Sequence, residues 1–139
     1  MSQSNTRQGD FTVLAGEDLT GKAAYLVKMT HDTQVPEVKL PDSVTDMAIY
    51  VLLEGAADAA LVSVRPLENG RTVRLQLDGT CNPGDLLVLA AINGVKDGKV
   101  VKLPSVGGTY RAIAVAEEAG VDGQLILARP CMLSNVTVL

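Results

Sequence analysis

The chain has 139 residues and a mass of 14.6 kDa, which predicts one domain built around one hydrophobic core. Apolar residues make up 47% and charged residues 20%, so there is ample surface to bury and a disordered chain is excluded. The formal charge of −4 repels phosphate backbones, and the aromatic content of 3% leaves few rings to stack on bases, so no nucleic-acid partner is expected.

The chain begins with a polar segment. Residues 1–10 hold no apolar run, so they are not a secretory signal, and no stretch of 18 apolar residues follows that would span a membrane. We therefore expect a soluble protein with no membrane partner, divided into a polar N-terminal arm over residues 1–14 and a single β domain over residues 15–139. Removal of residues 2–14 is expected to leave the β fold unchanged.

The rest of the chain consists of short apolar runs separated by turns. Residues 72–78 alternate strictly between apolar and polar side chains, as in a half-buried strand. Dipeptides such as Asn69-Gly70, Asp78-Gly79 and Asp97-Gly98 supply the positive φ that hairpin turns need. Nine strands are predicted, over residues 23–29, 47–53, 61–64, 72–78, 86–92, 99–103, 110–116, 124–128 and 136–139. The pattern predicts an all-β protein, an antiparallel β-barrel or a β-tulip-like sandwich with short turns.

Residues 44–60 allow two interpretations. Their Ala-rich part favours helix, but Gly55 in its middle costs a helix about 1 kcal/mol. We interpret residues 47–53 as a buried strand and residues 55–59 as its loop. Residues 43–46 have the composition of a helix start, which allows a single helical turn there.

Candidate catalytic and metal-binding residues are few and widely spaced. His31, Cys81 and Cys131 are separated by about 50 residues each, without the paired spacing of zinc ligands, and the two cysteines are predicted to be free thiols. No nucleophile motif and no phosphate-binding Gly-rich loop occurs. Glu117 and Glu118 are adjacent and would face opposite sides of a strand. The sequence thus predicts no catalytic residue, no metal and no cofactor.

One short segment is similar to an enzyme family. Leu14-Ala15-Gly16-Glu17-Asp18-Leu19 resembles the first motif of the trimeric dUTPases, which are also rich in β-structure. The remaining motifs of that family have no counterpart, since no Arg-Ser dipeptide occurs, the hairpin segment at residues 108–111 has no Asp, and the C-terminus has no glycine. A dUTPase-like enzyme is kept as a minor alternative.

A second resemblance covers most of the chain. It is carried by residues 15–23, 64–67, 79–89 and 108–118, which include the Pro83-Gly84-Asp85 turn before an apolar strand. In these stretches the sequence resembles the small capsid decoration, or cement, proteins of tailed bacteriophages. The resemblance implies a non-enzymatic homotrimer, made in the host cytoplasm and located on the virion surface. There it would bind the major capsid protein at threefold and quasi-threefold sites of the expanded shell and stabilise the head against internal DNA pressure.

Under this interpretation the polar arm is the part expected to order on the capsid. The candidate capsid-binding residues are Thr6, Arg7, Phe11, Val13 and Leu14. The alternative within the same class is another phage structural protein, namely a tail, spike or fibre component.

Overall fold

A computed structural model of the chain describes residues 9–32, 34–95, 97–131 and 134–139. These residues form eleven strands and no helix, which confirms the all-β prediction. The strands are β1 (Phe11–Ala15), β2 (Leu26–Thr30), β3 (Glu37–Lys39), β4 (Tyr50–Glu54), β5 (Leu61–Pro66), β6 (Val73–Gln76), β7 (Leu86–Leu89), β8 (Val100–Lys102), β9 (Gly108–Ala116), β10 (Leu125–Pro130) and β11 (Asn135–Val138). Within the described segments nothing forms a helix long and apolar enough to cross a membrane.

The first five strands close into a barrel in the order β1-β3-β2-β4-β5, with β5 returning to pair with β1. β1 and β3 are parallel, and the other neighbours are antiparallel. Because side chains alternate along a strand, every second residue points into the barrel. The interior is filled by small branched side chains, chiefly Val13, Leu19, Val27, Val38, Leu52, Val62 and Val64.

The remaining strands form a second sheet in the order β6-β10-β9-β7-β8, and β11 pairs with β9. The two ends of this sheet meet, because a bridge joins Leu77, just after β6, to Val100 in β8. The Asp78 N–H also donates to the Val100 carbonyl at 2.8 Å. The curled sheet encloses its own hydrophobic cluster, in which Leu75, Leu87, Ile113 and Ile126 are fully or almost fully buried.

The second sheet packs against the outer surface of the barrel at strands β2 and β4. Leu26 and Val51 are register partners on β2 and β4, and both belong to the hydrophobic cluster of the second sheet. Two backbone hydrogen bonds cross the same junction, from Leu26 to Gly98 at 2.8 Å and from Gln76 to Ala24 at 3.3 Å. The single core that the chain length predicts is therefore divided into two clusters that meet along the outer surface of the barrel.

The structure corrects the end of the polar arm. Residues 11–14, assigned to the arm by their position after a polar segment, lie in β1, where they pair with β5 residue by residue from Phe11–Val64 to Leu14–Leu61. Val13 is only 6% exposed. The structure thus predicts, against the expectation from the sequence, that removal of residues 2–14 harms the fold, since that deletion would take out most of a strand on which closure of the barrel depends.

All nine predicted strands are present with shifted ends, and β1 and β3 are additional. The strand predicted over residues 47–53 begins at Tyr50, because the residues before it are folded into a turn. In that turn the Asp46 N–H donates to the Ser43 carbonyl, and the Asp46 carboxylate accepts the backbone N–H groups of Asp42 and Ser43. Lys28 pairs with the same carboxylate at 2.9 Å, so this segment is held as a turn rather than a helix.

Candidate interaction surface

Two uncharged pairs of side chains face outward from neighbouring strands of the barrel. Leu14 lies opposite Leu61, and Thr12 lies opposite Ser63, on the antiparallel strands β1 and β5. Residues that are directly opposite in antiparallel strands have Cβ atoms about 4.5–5.5 Å apart, so each pair forms a continuous contact surface. Leu61 is 65% exposed and Leu14 is half-buried. We call these four residues the β1–β5 face.

The five predicted capsid-binding residues have different positions. Thr6 and Arg7 lie outside the described residues. Val13 points into the barrel, where burial leaves it no surface to offer a partner. Phe11 packs partly against the same core, with its ring edge-on to Tyr50 at a centroid distance of 5.8 Å. Leu14 is the described member of the set that lies on the outer surface of the barrel.

An ion pair fixes the point where the arm joins the barrel. The Arg65 guanidinium donates two hydrogen bonds to the Asp10 carboxylate, from Nε to Oδ1 at 2.8 Å and from Nη2 to Oδ2 at 3.0 Å. Arg71 approaches the same carboxylate at 4.0 Å. Gly9, with a φ of +72°, turns the chain just before this contact. The described part of the chain therefore begins next to the Arg65 end of β5.

The contact between Asp10 and Arg65 is expected to weaken at acid pH. Hydrogen bonding to Arg65 is the largest cause that holds the pKa of Asp10 below its ordinary value. Because this pKa is lowered on folding, the contribution to stability is complete above the ordinary Asp pKa and is lost as the pH falls through the lower folded value. We expect Arg65→Ala to raise the pKa of Asp10 towards its ordinary value in a carboxyl-detected NMR titration.

Asp18 is the internal control for that titration. Its pKa is lowered by hydrogen bonds from Thr20 and not by an arginine, so Arg65→Ala should leave it unchanged. An Asp10 pKa that is the same in both proteins would contradict the assigned cause.

The residues considered for catalysis are apart from this surface. His31 is exposed after β2, Cys81 is buried, and Cys131 is half-buried. Burial raises the pKa of both thiols, and Asp85 and Glu118 raise that of Cys81 further. A raised pKa lowers the fraction of reactive thiolate at neutral pH. Within the described ranges, no three or more His, Cys, Asp or Glu residues are grouped as they would be to hold a metal ion.

The segment that resembles a dUTPase motif has a structural role here. Leu19 is fully buried in the barrel core, and its N–H donates to the Ala56 carbonyl at 2.8 Å. Asp18 accepts hydrogen bonds from the Thr20 hydroxyl at 2.6 Å and from the Thr20 N–H at 3.1 Å. These contacts hold the loop that follows β1 against the loop that follows β4.

A groove of about 310 Å³ lies where the barrel meets the second sheet. Its walls include apolar side chains of β4 and β10 and two arginines, Arg65 and Arg74. Arg65 is paired with Asp10 and Arg74 with Glu118, so both guanidinium groups are already engaged. The groove is thus lined mainly by apolar side chains, and its two arginines are already paired with carboxylates.

The chain is similar in fold to solved structures of other proteins. The chain is similar to a crystal structure described as the head fiber gp8.5 N base in bacteriophage phi29, with a TM-score of 0.66 and 20% sequence identity. The alignment covers 88% of this chain and 92% of the other. No protein-family model and no curated protein sequence matches the chain. The likeness therefore shows that the two chains share a fold along nearly their whole lengths.

Proposed function

We propose that this chain is a structural protein of a phage virion that attaches to the outside of the head. The observation that carries the proposal is the shared fold with the phi29 head fiber base over 88% of the chain. Because one fold can have many functions, the proposal also depends on a surface that is suited to attachment, the β1–β5 face. The resemblance of the sequence to capsid decoration proteins supports the same class of function.

The β1–β5 face is the surface proposed to contact the shell. Leu14 and Leu61 form an apolar centre, and Thr12 and Ser63 extend it with uncharged polar groups. An apolar centre with few charged groups is the usual composition of the buried middle of a protein interface. Because the β1–β5 face lies on two paired strands of a closed barrel, its backbone is already ordered, and little conformational entropy is lost when it binds.

The polar arm is the second part of the chain proposed to contact the shell. The Asp10–Arg65 pair holds the start of the arm at the end of the strands that form the β1–β5 face. In the proposed assembly three copies sit at threefold and quasi-threefold sites and bind the major capsid protein through three faces and three arms. Such multivalent contact raises avidity without strong individual contacts, and binding to the expanded shell alone stabilises that state by mass action.

The proposal is tested by mixing the protein with expanded, undecorated heads and imaging them by cryo-electron microscopy across a concentration series. Saturable density at threefold and quasi-threefold positions is expected. Leu61→Asp should weaken binding by at least about tenfold, because it places a charge in the apolar centre of the face. Val121→Asp is the matched control, since Val121 is 62% exposed and lies on the loop between β9 and β10, outside the face.

Two results would contradict parts of this proposal. The absence of saturable binding by the unmodified protein would remove head attachment altogether. Equal binding by Leu61→Asp and the unmodified protein would remove the β1–β5 face as the contact surface.

A head fibre base is the second candidate, and the description of the phi29 structure favours it. The two candidates differ in the length of the polypeptide that carries this sequence in the virion. Mass spectrometry of intact virion proteins distinguishes them. A species of 14.6 kDa supports a decoration protein, whereas a longer polypeptide containing these residues supports a fibre that uses this fold as its base.

A further inference from the structure

The sequence contains two Asn-Gly dipeptides, and both are exposed in connections between strands. Asn69-Gly70 lies between β5 and β6, and Asn93-Gly94 lies between β7 and β8. An asparagine followed by glycine is prone to lose its side-chain amide, because glycine has no Cβ to hinder the approach of its backbone nitrogen to the preceding side chain. The two dipeptides are identical in sequence, but the structure holds them differently.

The Asn93-Gly94 turn is held by short hydrogen bonds. The Gly94 N–H donates to Asp97 Oδ1 at 2.9 Å, and the Asn93 N–H donates to the same oxygen at 2.8 Å. The Val95 N–H donates to the side-chain oxygen of Asn93 at 3.0 Å. The nitrogen that would attack and the amide that would be attacked are thus both engaged, and the Gly94 nitrogen must first leave a carboxylate.

The Asn69-Gly70 turn is held by longer hydrogen bonds. The Arg71 N–H donates to the Glu68 carbonyl at 3.3 Å, and Arg129 Nη1 donates to the main-chain carbonyl of Asn69 at 3.3 Å. Among the described residues, none accepts the Gly70 N–H and none pairs with the side-chain amide of Asn69. The Gly70 nitrogen can therefore approach that amide without first giving up a hydrogen bond.

We propose that Asn69 is a site of spontaneous deamidation in the folded protein and that Asn93 is protected. The Gly70 nitrogen gives its proton to hydroxide and forms a bond to Cγ of Asn69. The Cγ–Nδ2 bond then breaks, and the amide nitrogen takes a proton from water and leaves as ammonia, which closes a succinimide ring. Water next adds to one of the two ring carbonyl carbons and breaks the bond from that carbon to the Gly70 nitrogen. The product is aspartate or isoaspartate.

The reaction changes the connection between the barrel and the second sheet. It adds one negative charge to the net charge of −4, and isoaspartate also adds a carbon to the main chain between β5 and β6. In isoaspartate the former main-chain carbonyl of Asn69 becomes the free carboxylate, and Arg129 already donates to that oxygen. The new charge thus forms beside a guanidinium, which stabilises the charged product.

The test follows both dipeptides in one sample of the full chain. The folded protein is incubated at mildly alkaline pH and digested, and mass spectrometry gives the deamidated fraction of each asparagine-containing peptide. Asn69 should react at least about tenfold faster than Asn93, because Gly94 must first give up a hydrogen bond to a carboxylate. In concentrated urea, where neither turn is held, the two rates should become similar.

Two variants change one dipeptide at a time. Asp97→Ala removes the acceptor of the Gly94 N–H, so it should raise the rate at Asn93 about tenfold and leave the rate at Asn69 unchanged. Gly70→Ala should slow the reaction of Asn69 and leave that of Asn93 unchanged. A Cβ at Gly70 would meet no atom within 4 Å, so this variant should keep the fold.

Three outcomes would overturn the inference. Equal rates at Asn69 and Asn93 in the folded protein would show that the hydrogen bonds of Asp97 give no protection. Reaction of Asn69 in urea but not in the folded protein would show that its turn is protected as well. A difference that persists in urea would assign the selectivity to the neighbouring sequence instead of the fold.

Discussion

Removal of residues 2–14 is expected to abolish the cooperative folding of this protein. The deletion takes out four of the five residues of β1, which pairs with β5 on one side and with β3 on the other. The barrel would then open between those two strands, and its small interior would be exposed to water. The loss extends over a whole strand and its hydrogen bonds, so it is comparable with the total stability of a domain, about 5–15 kcal/mol.

The measurement is urea denaturation followed by circular dichroism, with a deletion of residues 2–8 as the matched control. The shorter deletion keeps Asp10 and its two hydrogen bonds to Arg65, and it leaves β1 intact. We expect it to retain the midpoint of the unmodified protein and to bind heads more weakly. A cooperative transition with an unchanged midpoint after the longer deletion would show that β1 is not required for the fold.

Leu26→Ala is expected to destabilise the protein by about 2–5 kcal/mol, the usual cost of truncating a fully buried leucine. Leu26 is 0% exposed and lies where the barrel meets the second sheet. Truncation leaves a cavity between two closed units, neither of which can easily collapse into it. Because the residue belongs to the contact between the units, the variant should also show whether they unfold together.

Leu125→Ala is the control for this measurement, because Leu125 is 45% exposed on β10. We expect it to change the stability by less than about 1 kcal/mol. Denaturation of Leu26→Ala should show a lower midpoint and, if contact across the junction is what couples the units, two separate transitions. A midpoint as high as that of Leu125→Ala would contradict the assignment of Leu26 to a shared core.

The sequence is sufficient to predict most of the strands, and the two that it misses share a physical cause. β3 has three residues, of which Val38 alone is apolar, so no alternation can be recognised in it. β1 follows a polar segment, and its assignment to the arm depended on those neighbours rather than on its own Phe-Thr-Val-Leu-Ala pattern. Both strands gain their stability from pairing within the barrel, which a local pattern does not contain.

The candidate surface could be predicted only in part, because it depends on contacts between residues distant in the sequence. Leu14 is a predicted capsid-binding residue because the sequence analysis places it in the arm, but its partner Leu61 is 47 residues away and is recognised only from the β1–β5 register. The Asp10–Arg65 pair spans 55 residues and has no sequence signature.

The strand order also determines how the chain can fold during synthesis. All five barrel strands lie between residues 11 and 66, and the strands of the second sheet follow from residue 73 onwards. The barrel can therefore close on the ribosome before the second half has emerged, as N-terminal units commonly do. Until then Leu26 and Val51 are exposed to water on the outer surface of the barrel, and they form an apolar patch on the nascent chain that the second sheet later buries.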